Sequence, residues 1–175
     1  MRGVRRGQGI PVRRIEGFQR GFTWLTRTDL ISIAAVQGHA IGAGFQLALA
    51  CDLRIAAEGT LFAMPEPTMG IVPDLTGTHP LVAAVGLAKA LEWCLTGRKV
   101  DAAEAHQAGL LNQVVPADEL DTVAKALAAA VLASPRDAVI ESKALLRGAT
   151  SRPPEEQWKA EREAQARLLR DLSSD

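Results

Sequence analysis

Residues 33 to 52 read IAAVQGHAIGAGFQLALACD. The stretch continues a short apolar run, Ile31 to Val36, whose Ile, Ala and Val suit a strand buried on both faces. Gly38 to Gly44 is a glycine-rich turn, and FQLALA after it reads as a helix. Backbone N–H groups at the start of such a helix have no intrahelical acceptor. Small residues let a ligand oxygen approach the main chain closely, and the helix dipole adds positive potential. These features make an oxyanion site for a carbonyl that gains negative charge. A tight turn that needs glycine only for packing explains the same residues. A dinucleotide fingerprint fits worse, because Leu47 stands where its third glycine belongs. Leu30 to Cys51 carries no Asp, Glu, Lys or Arg and is long enough to span a bilayer. Gln37, His39 and Gln46 lie within it, however, and Asp29 and Asp52 flank it, so a buried strand-turn-helix explains its apolarity better.

Upstream, Val12, Ile15, Phe18, Phe22 and Leu25 recur at helical spacing and predict an amphipathic helix. Residues 1–11, rich in Arg and Gly without an apolar period, read as a disordered or non-native start. Downstream, Asp52–Ala56 and Leu61–Ala63 predict two short strands. Met64 to Gly77, with three prolines and two glycines, is a loop of fixed geometry, where sites are built. Leu81 to Leu95 predicts a helix ended by Gly97. Asp101 with Glu104 resembles a capping box that opens a helix over AAEAHQ; Gly109 ends it, and LLNQVV reads as a further strand. From Pro116 the chain reads as helical: Asp118 to Ala133, then a helix capped by Ser134-Pro135 and running to Gly148, then a charged one opened by Pro153-Pro154.

The chain has 175 residues, the size of one ordinary domain, and a 47% apolar share that excludes global disorder. Aromatics make up 4% and tyrosine is absent, so Ala, Leu and Val must supply the packing. The formal net charge is zero, which gives no overall case for nucleic acid or an anionic membrane. The first twenty residues hold six arginines against one glutamate, yet an out-of-frame start explains them more simply than RNA binding. Cys51 and Cys94 sit in apolar runs and read as two buried thiols in a reducing compartment, which suggests a cytoplasmic protein. Without a C-x-x-C pair no metal site is expected.

IAAVQGHAIGAGFQLALACDLRIAA resembles the central signature of the crotonase superfamily, the enoyl-CoA hydratase/isomerase family. The resemblance continues in order through FAMPEPTMGIVPD, LTGRKVDAAEAHQAGLLNQVV and SKALL, covering residues 12 to 150. It implies an α/β fold, the crotonase (ClpP-like) ββα spiral: its remaining core over residues 12–116, and a helical C-terminal trimerisation region over 117–175. It also implies a coenzyme A thioester as substrate, no cofactor, and a homotrimer or hexamer with neither nucleic acid nor membrane as partner. By position, the Ala43 N–H matches one of the family's two oxyanion donors, with Gly42 and Gly44 beside it in the substrate-binding turn. Gln46 falls at the first catalytic carboxylate of the hydratases and Glu66 at the second. Asp74 matches a catalytic aspartate of some isomerase branches. Lys143 matches a lysine that helps bind CoA phosphate or ribose, although a solvated lysine is equally consistent. His39, His79 and His106 carry no assigned role.

Removing a proton next to a thioester carbonyl needs a base and donors for the enolate. Hydration usually employs two carboxylates on one water. Gln46 can orient a water but cannot take its proton, whereas Glu66, alone or with Asp74, suffices for double-bond migration. The residue types therefore favour an enoyl-CoA isomerase, with a hydratase and an inactive acyl-CoA-binding fragment or scaffold as the alternatives. The sequence departs from the family in two ways. An amino-terminal portion that carries the other oxyanion donor and much of the CoA adenine pocket is absent. Thr76 and Pro80 stand where close relatives often have glycine and arginine.

Overall fold

The apolar run before the glycine turn does form a strand, β1 (Ile33–Val36), and FQLALA lies in a helix, α2 (Ala43–Ala50). The turn between them holds a strand of its own, β2 (His39–Ile41), which composition does not signal because it is only three residues long and flanked by glycines. This computed structural model describes residues 10–172, so most of the start read as disordered lies outside the described residues. Its first helix, α1 (Val12–Thr23), matches the predicted amphipathic one. Then β3 (Leu53–Ala57) and β4 (Leu61–Ala63) repeat the β1–β2 pattern. A one-turn 3-10 helix, Glu66–Met69, and α3 (Thr78–Thr96) follow. A short β5 (Val100–Asp101), α4 (Ala102–Gln107) and β6 (Gln113–Val115) complete the strand-bearing part.

Two three-stranded sheets result, ordered β1-β3-β6 and β2-β4-β5. β1 pairs parallel to β3 from Ile33↔Leu53 to Val36↔Ala56, and β3 parallel to β6. β2 pairs parallel to β4 from His39↔Leu61, while β5 runs antiparallel to β4. The first two passes of the chain each lay one strand in each sheet and return through a helix, the ββα spiral that the resemblance implies, and the third places α4 between β5 and β6. The apolar stretch 30–51 is spent on this spiral, and none of the described helices is long and apolar enough to cross a membrane.

Phe45, Phe62, Met64, Leu81, Trp93 and Leu110 make the main core. The rings of Phe45 and Phe62 meet tilted at 54° with centroids 5.4 Å apart, a favourable offset geometry. α3 is broken at Gly86 (φ 77°, ψ 161°), a conformation that glycine tolerates and other residues do not. Asp101 caps α4, its Oδ1 accepting from the Glu104 N–H at 2.8 Å. Glu104 does not reach back as a capping box requires. Arg98, the strongest influence, together with Trp93 holds its carboxyl down at about 2.

Beyond Pro116 come α5 (Leu120–Leu132), α6 (Arg136–Gly148) and α7 (Pro154–Leu172). Leu120, Val123, Ala124 and Leu127 of α5 pack on Ile55, Ala57 and Val115 of the first sheet. α7 lies on α6, tied by Arg167 donating twice to Glu141 at 3.1 and 2.9 Å.

Candidate active site

Gln46 lies on the second turn of α2 and Glu66 begins the 3-10 helix after β4, so the spiral brings together residues twenty apart. Both are buried, Gln46 to 1% exposure and Glu66 to 5%. Gln46 Nε2 donates to Glu66 Oε1 at 2.7 Å. Its Oε1 accepts from the backbone N–H groups of Leu75 (2.8 Å) and Gly77 (3.2 Å). Glu66 Oε2 is buried without a hydrogen-bond partner, alone among the side-chain polar atoms of the described residues. A buried polar atom left unpaired is costly, and such an atom on a carboxylate is the natural place for a transferable proton.

The glycine turn adjoins this carboxylate. Gly42 has φ 53° and ψ −118°, its N–H donates to the Ala63 carbonyl at 2.9 Å, and a Cβ on it would stand 3.4 Å from Glu66 Oε1. The positive φ therefore favours glycine, while a Cβ would make only an ordinary contact with the Glu66 carboxylate. Ala43 and Gly44 are exposed at the first turn of α2, where N–H groups lack intrahelical acceptors. A Cβ on Gly44 would meet nothing within 4 Å. The oxyanion reading and the packing reading of this turn are thus compatible.

Asp74 is half-buried. Its carbonyl accepts from Gln19 Nε2 of α1 at 2.8 Å, and no hydrogen bond or ion pair among the described residues engages its carboxylate. It sits one residue before Leu75, on the segment that holds Gln46. His39 and His79 are exposed, and His106 Nδ1 lies 3.0 Å from the Leu111 carbonyl.

Lys143 differs from expectation. It is buried, neither solvated nor free to meet a CoA phosphate. Its ammonium donates to the carbonyls of Leu25 (3.4 Å) and Leu30 (2.7 Å) and to Asp52 Oδ2 (2.8 Å), which uses all the donors a lysine has. Asp52 also accepts from the Ser32 N–H and hydroxyl, both at 2.9 Å, and from Arg147 at 2.8 Å. Burial alone would push the Asp52 carboxyl up, but Lys143, Ser32 and Arg147 outweigh it and hold it below the usual range. Cys51 and Cys94 are free and half-buried rather than fully buried, and burial raises both thiols.

A cavity of about 1150 Å³ has Asp52, Arg54, His79, Lys143 and Arg147 in its walls but not Ala43, Gln46 or Glu66. The buried Gln46–Glu66 pair thus lies outside this space. Among the described residues no three His, Cys, Asp or Glu side chains converge as metal ligands.

The sequence model of the family described as enoyl-CoA hydratase/isomerase matches residues 12–174. A Mycobacterium bovis protein named as a probable enoyl-CoA hydratase, echA8, is 48% identical over 111 residues, which cover 62% of this chain and 43% of that one. An Arabidopsis thaliana protein named as a peroxisomal fatty acid beta-oxidation multifunctional protein is 44% identical over 104 residues, 56% of this chain and 14% of that one. The crystal structure of a Thermobifida fusca YX protein, provisionally titled an enoyl-CoA hydratase, superposes with a TM-score of 0.92 at 50% identity, covering 93% of this chain and 63% of that chain. A Thermobifida fusca YX structure under the same provisional name, in complex with acetoacetyl-CoA, gives a TM-score of 0.90 at 50% identity, covering 91% of this chain and 63% of that one. The chain thus spans less than two-thirds of the length of these relatives. With its spiral fold, its glycine turn and its buried Glu66, the chain belongs to the enoyl-CoA hydratase/isomerase family, the crotonase superfamily.

Proposed function

We propose that the whole protein binds an acyl-CoA thioester and moves its double bond from the 3 to the 2 position. Glu66 Oε2 takes a proton from the α-carbon, and the C–H electron pair passes into the thioester, giving a dienolate whose oxygen the Ala43 N–H holds. Return of the proton to the γ-carbon restores the carbonyl and leaves the double bond in conjugation. Glu66 carries the proton both ways, or Asp74 supplies it at the γ-carbon. The observation that carries this reading is the unpartnered Oε2 of Glu66 beside a Gln46 amide engaged at both ends. One N–H donor to the enolate contributes roughly 3–4 kcal/mol. No cofactor enters the scheme. The relative named for fatty acid beta-oxidation makes fatty-acid degradation the fitting context, and the two unbridged thiols suit the cytoplasm.

The hydratase reading draws on the names of the relatives. Assaying 3-enoyl-CoA isomerisation and 2-enoyl-CoA hydration side by side at one pH separates the two. Isomerisation should be the faster, and Gln46→Glu should raise hydration, because a second carboxylate can share the water proton. Hydration at a rate far above isomerisation in the unaltered protein makes hydratase the correct name. Turnover of neither substrate, with acyl-CoA still bound, favours the scaffold reading.

We also propose a trimer or a pair of trimers. Leu87, Leu91 and Leu95 leave a four-residue-spaced apolar stripe exposed on α3, and Leu132, Leu146 and Trp158 are exposed on the C-terminal helices. This is more uncovered apolar surface than a lone small subunit usually shows. Sedimentation velocity at micromolar concentration should show a multiple of three; a stable monomer there overturns the assignment.

A further inference from the structure

The carboxamide of Gln46 has two ends of nearly equal shape and opposite hydrogen-bonding character. Its surroundings decide which end faces where. The Leu75 and Gly77 N–H groups can only donate, so the amide oxygen must face them, at 2.8 and 3.2 Å. The NH2 group is thereby turned toward Glu66 Oε1, 2.7 Å away. At 1% exposure Gln46 is shielded from bulk solvent that could compete for these partners.

The segment that supplies the two N–H groups is itself unusual. Thr76, between them, has φ 72° and is the one non-glycine among the described residues with positive φ. A β-branched side chain is poorly suited to that region, and such conformations persist where the surroundings over-determine them. A left-handed residue inside a short backbone segment turns successive N–H groups onto one acceptor, and Gln46 Oε1 is that acceptor. Gly77 completes the fit: a Cβ on it would lie 2.6 Å from Gln46 Cγ, so the segment packs directly on the glutamine stem.

We propose that the Leu75–Gly77 backbone, bent at Thr76, is an orienting clamp that makes Gln46 a positioning residue and gives the two oxygens of Glu66 different duties. Oε1 is the anchored acceptor and Oε2 carries the proton. This rests on Glu66 being the base and adds what fixes its orientation. Gln46 then has both lone pairs of its amide oxygen engaged and one of its two N–H protons committed to Glu66, and its part is exerted through Glu66.

The test is the side-chain amide signal of Gln46 in a 15N–1H correlation spectrum, assigned by its loss in Gln46→Met. One amide proton should exchange at least about tenfold more slowly than those of exposed glutamines, as expected for a buried charge-assisted bond. Glu66→Gln should shift that proton upfield and speed its exchange, because the acceptor loses its charge. Gly77→Ala should abolish the protection by displacing the stem. If that variant does not fold, the Glu66→Gln comparison still decides. A Gln46 amide that exchanges as freely as exposed ones, or that does not respond to Glu66→Gln, overturns the clamp. Because the signal needs no turnover, a protected amide in a protein without isomerase activity counts against the reaction and not against the clamp.

Discussion

Glu66→Gln should lower turnover of 3-enoyl-CoA by at least about a hundredfold, the lower range for loss of a general base. The exchange keeps the side-chain volume and still offers an oxygen to Gln46 Nε2, which donates to Oε1 at 2.7 Å in the unaltered protein. It replaces Oε2, the buried oxygen without a partner, with an NH2 that cannot take a proton. At 5% exposure the position has little access to a solvent molecule that could substitute. The loss should therefore fall on kcat, with KM little changed, because a general base acts in the transition state rather than in ground-state binding. Steady-state kinetics on both forms make the comparison, and equal turnover rules out Glu66 as the base.

The largest loss of stability should follow Asp52→Ala. Its carboxylate receives four hydrogen bonds, from Ser32 twice, Lys143 and Arg147. The Lys143 and Asp52 side chains are only 6% and 14% exposed. Removing one partner of a buried pair leaves the other charge uncompensated, at a cost of about 3–5 kcal/mol. The carboxyl of Asp52 lies below its ordinary 3.8 in the folded protein. A group lowered in this way contributes stability that is fully present above its unfolded value and is lost as pH falls through its folded value. The unaltered protein should therefore lose stability progressively below about pH 4, and Asp52→Ala should show a shallower acid decline from a lower starting point. Urea unfolding at neutral and acid pH measures both. A change under about 1 kcal/mol at neutral pH, the scale of an exposed pair, would falsify the buried-pair account.

The legible parts of this fold were those with a strong local signal. The period of Val12, Ile15, Phe18 and Phe22 marked α1, and Pro135 and Pro154 marked the starts of α6 and α7. β2 and β5, three and two residues long, were missed because neither is long enough to alternate, and both owe their form to β4. The break at Gly86 looked like ordinary helix, since a lone glycine inside an apolar period does not announce its φ. Glu66 and Gln46 were found through resemblance; nothing in their spacing says that they touch. The N–H groups of Leu75 and Gly77 were illegible in principle, because every residue but proline carries one, and threonine is among the last residues expected at φ 72°. The burial of Lys143 does not show in the sequence, because its partner Asp52 lies 91 positions away.

That distance also bears on how the chain reaches its native state. Lys143 closes contacts across 91, 113 and 118 residues. The entropy of closing so long a loop must be met before the contact returns anything, and topologies rich in such pairings fold slowly. Ser32 and Asp52 can meet across twenty residues once β1 and β3 pair. Loop-closure entropy thus favours placing this carboxylate before α6 docks on it, an order that φ-values at Ser32 and Lys143 would read.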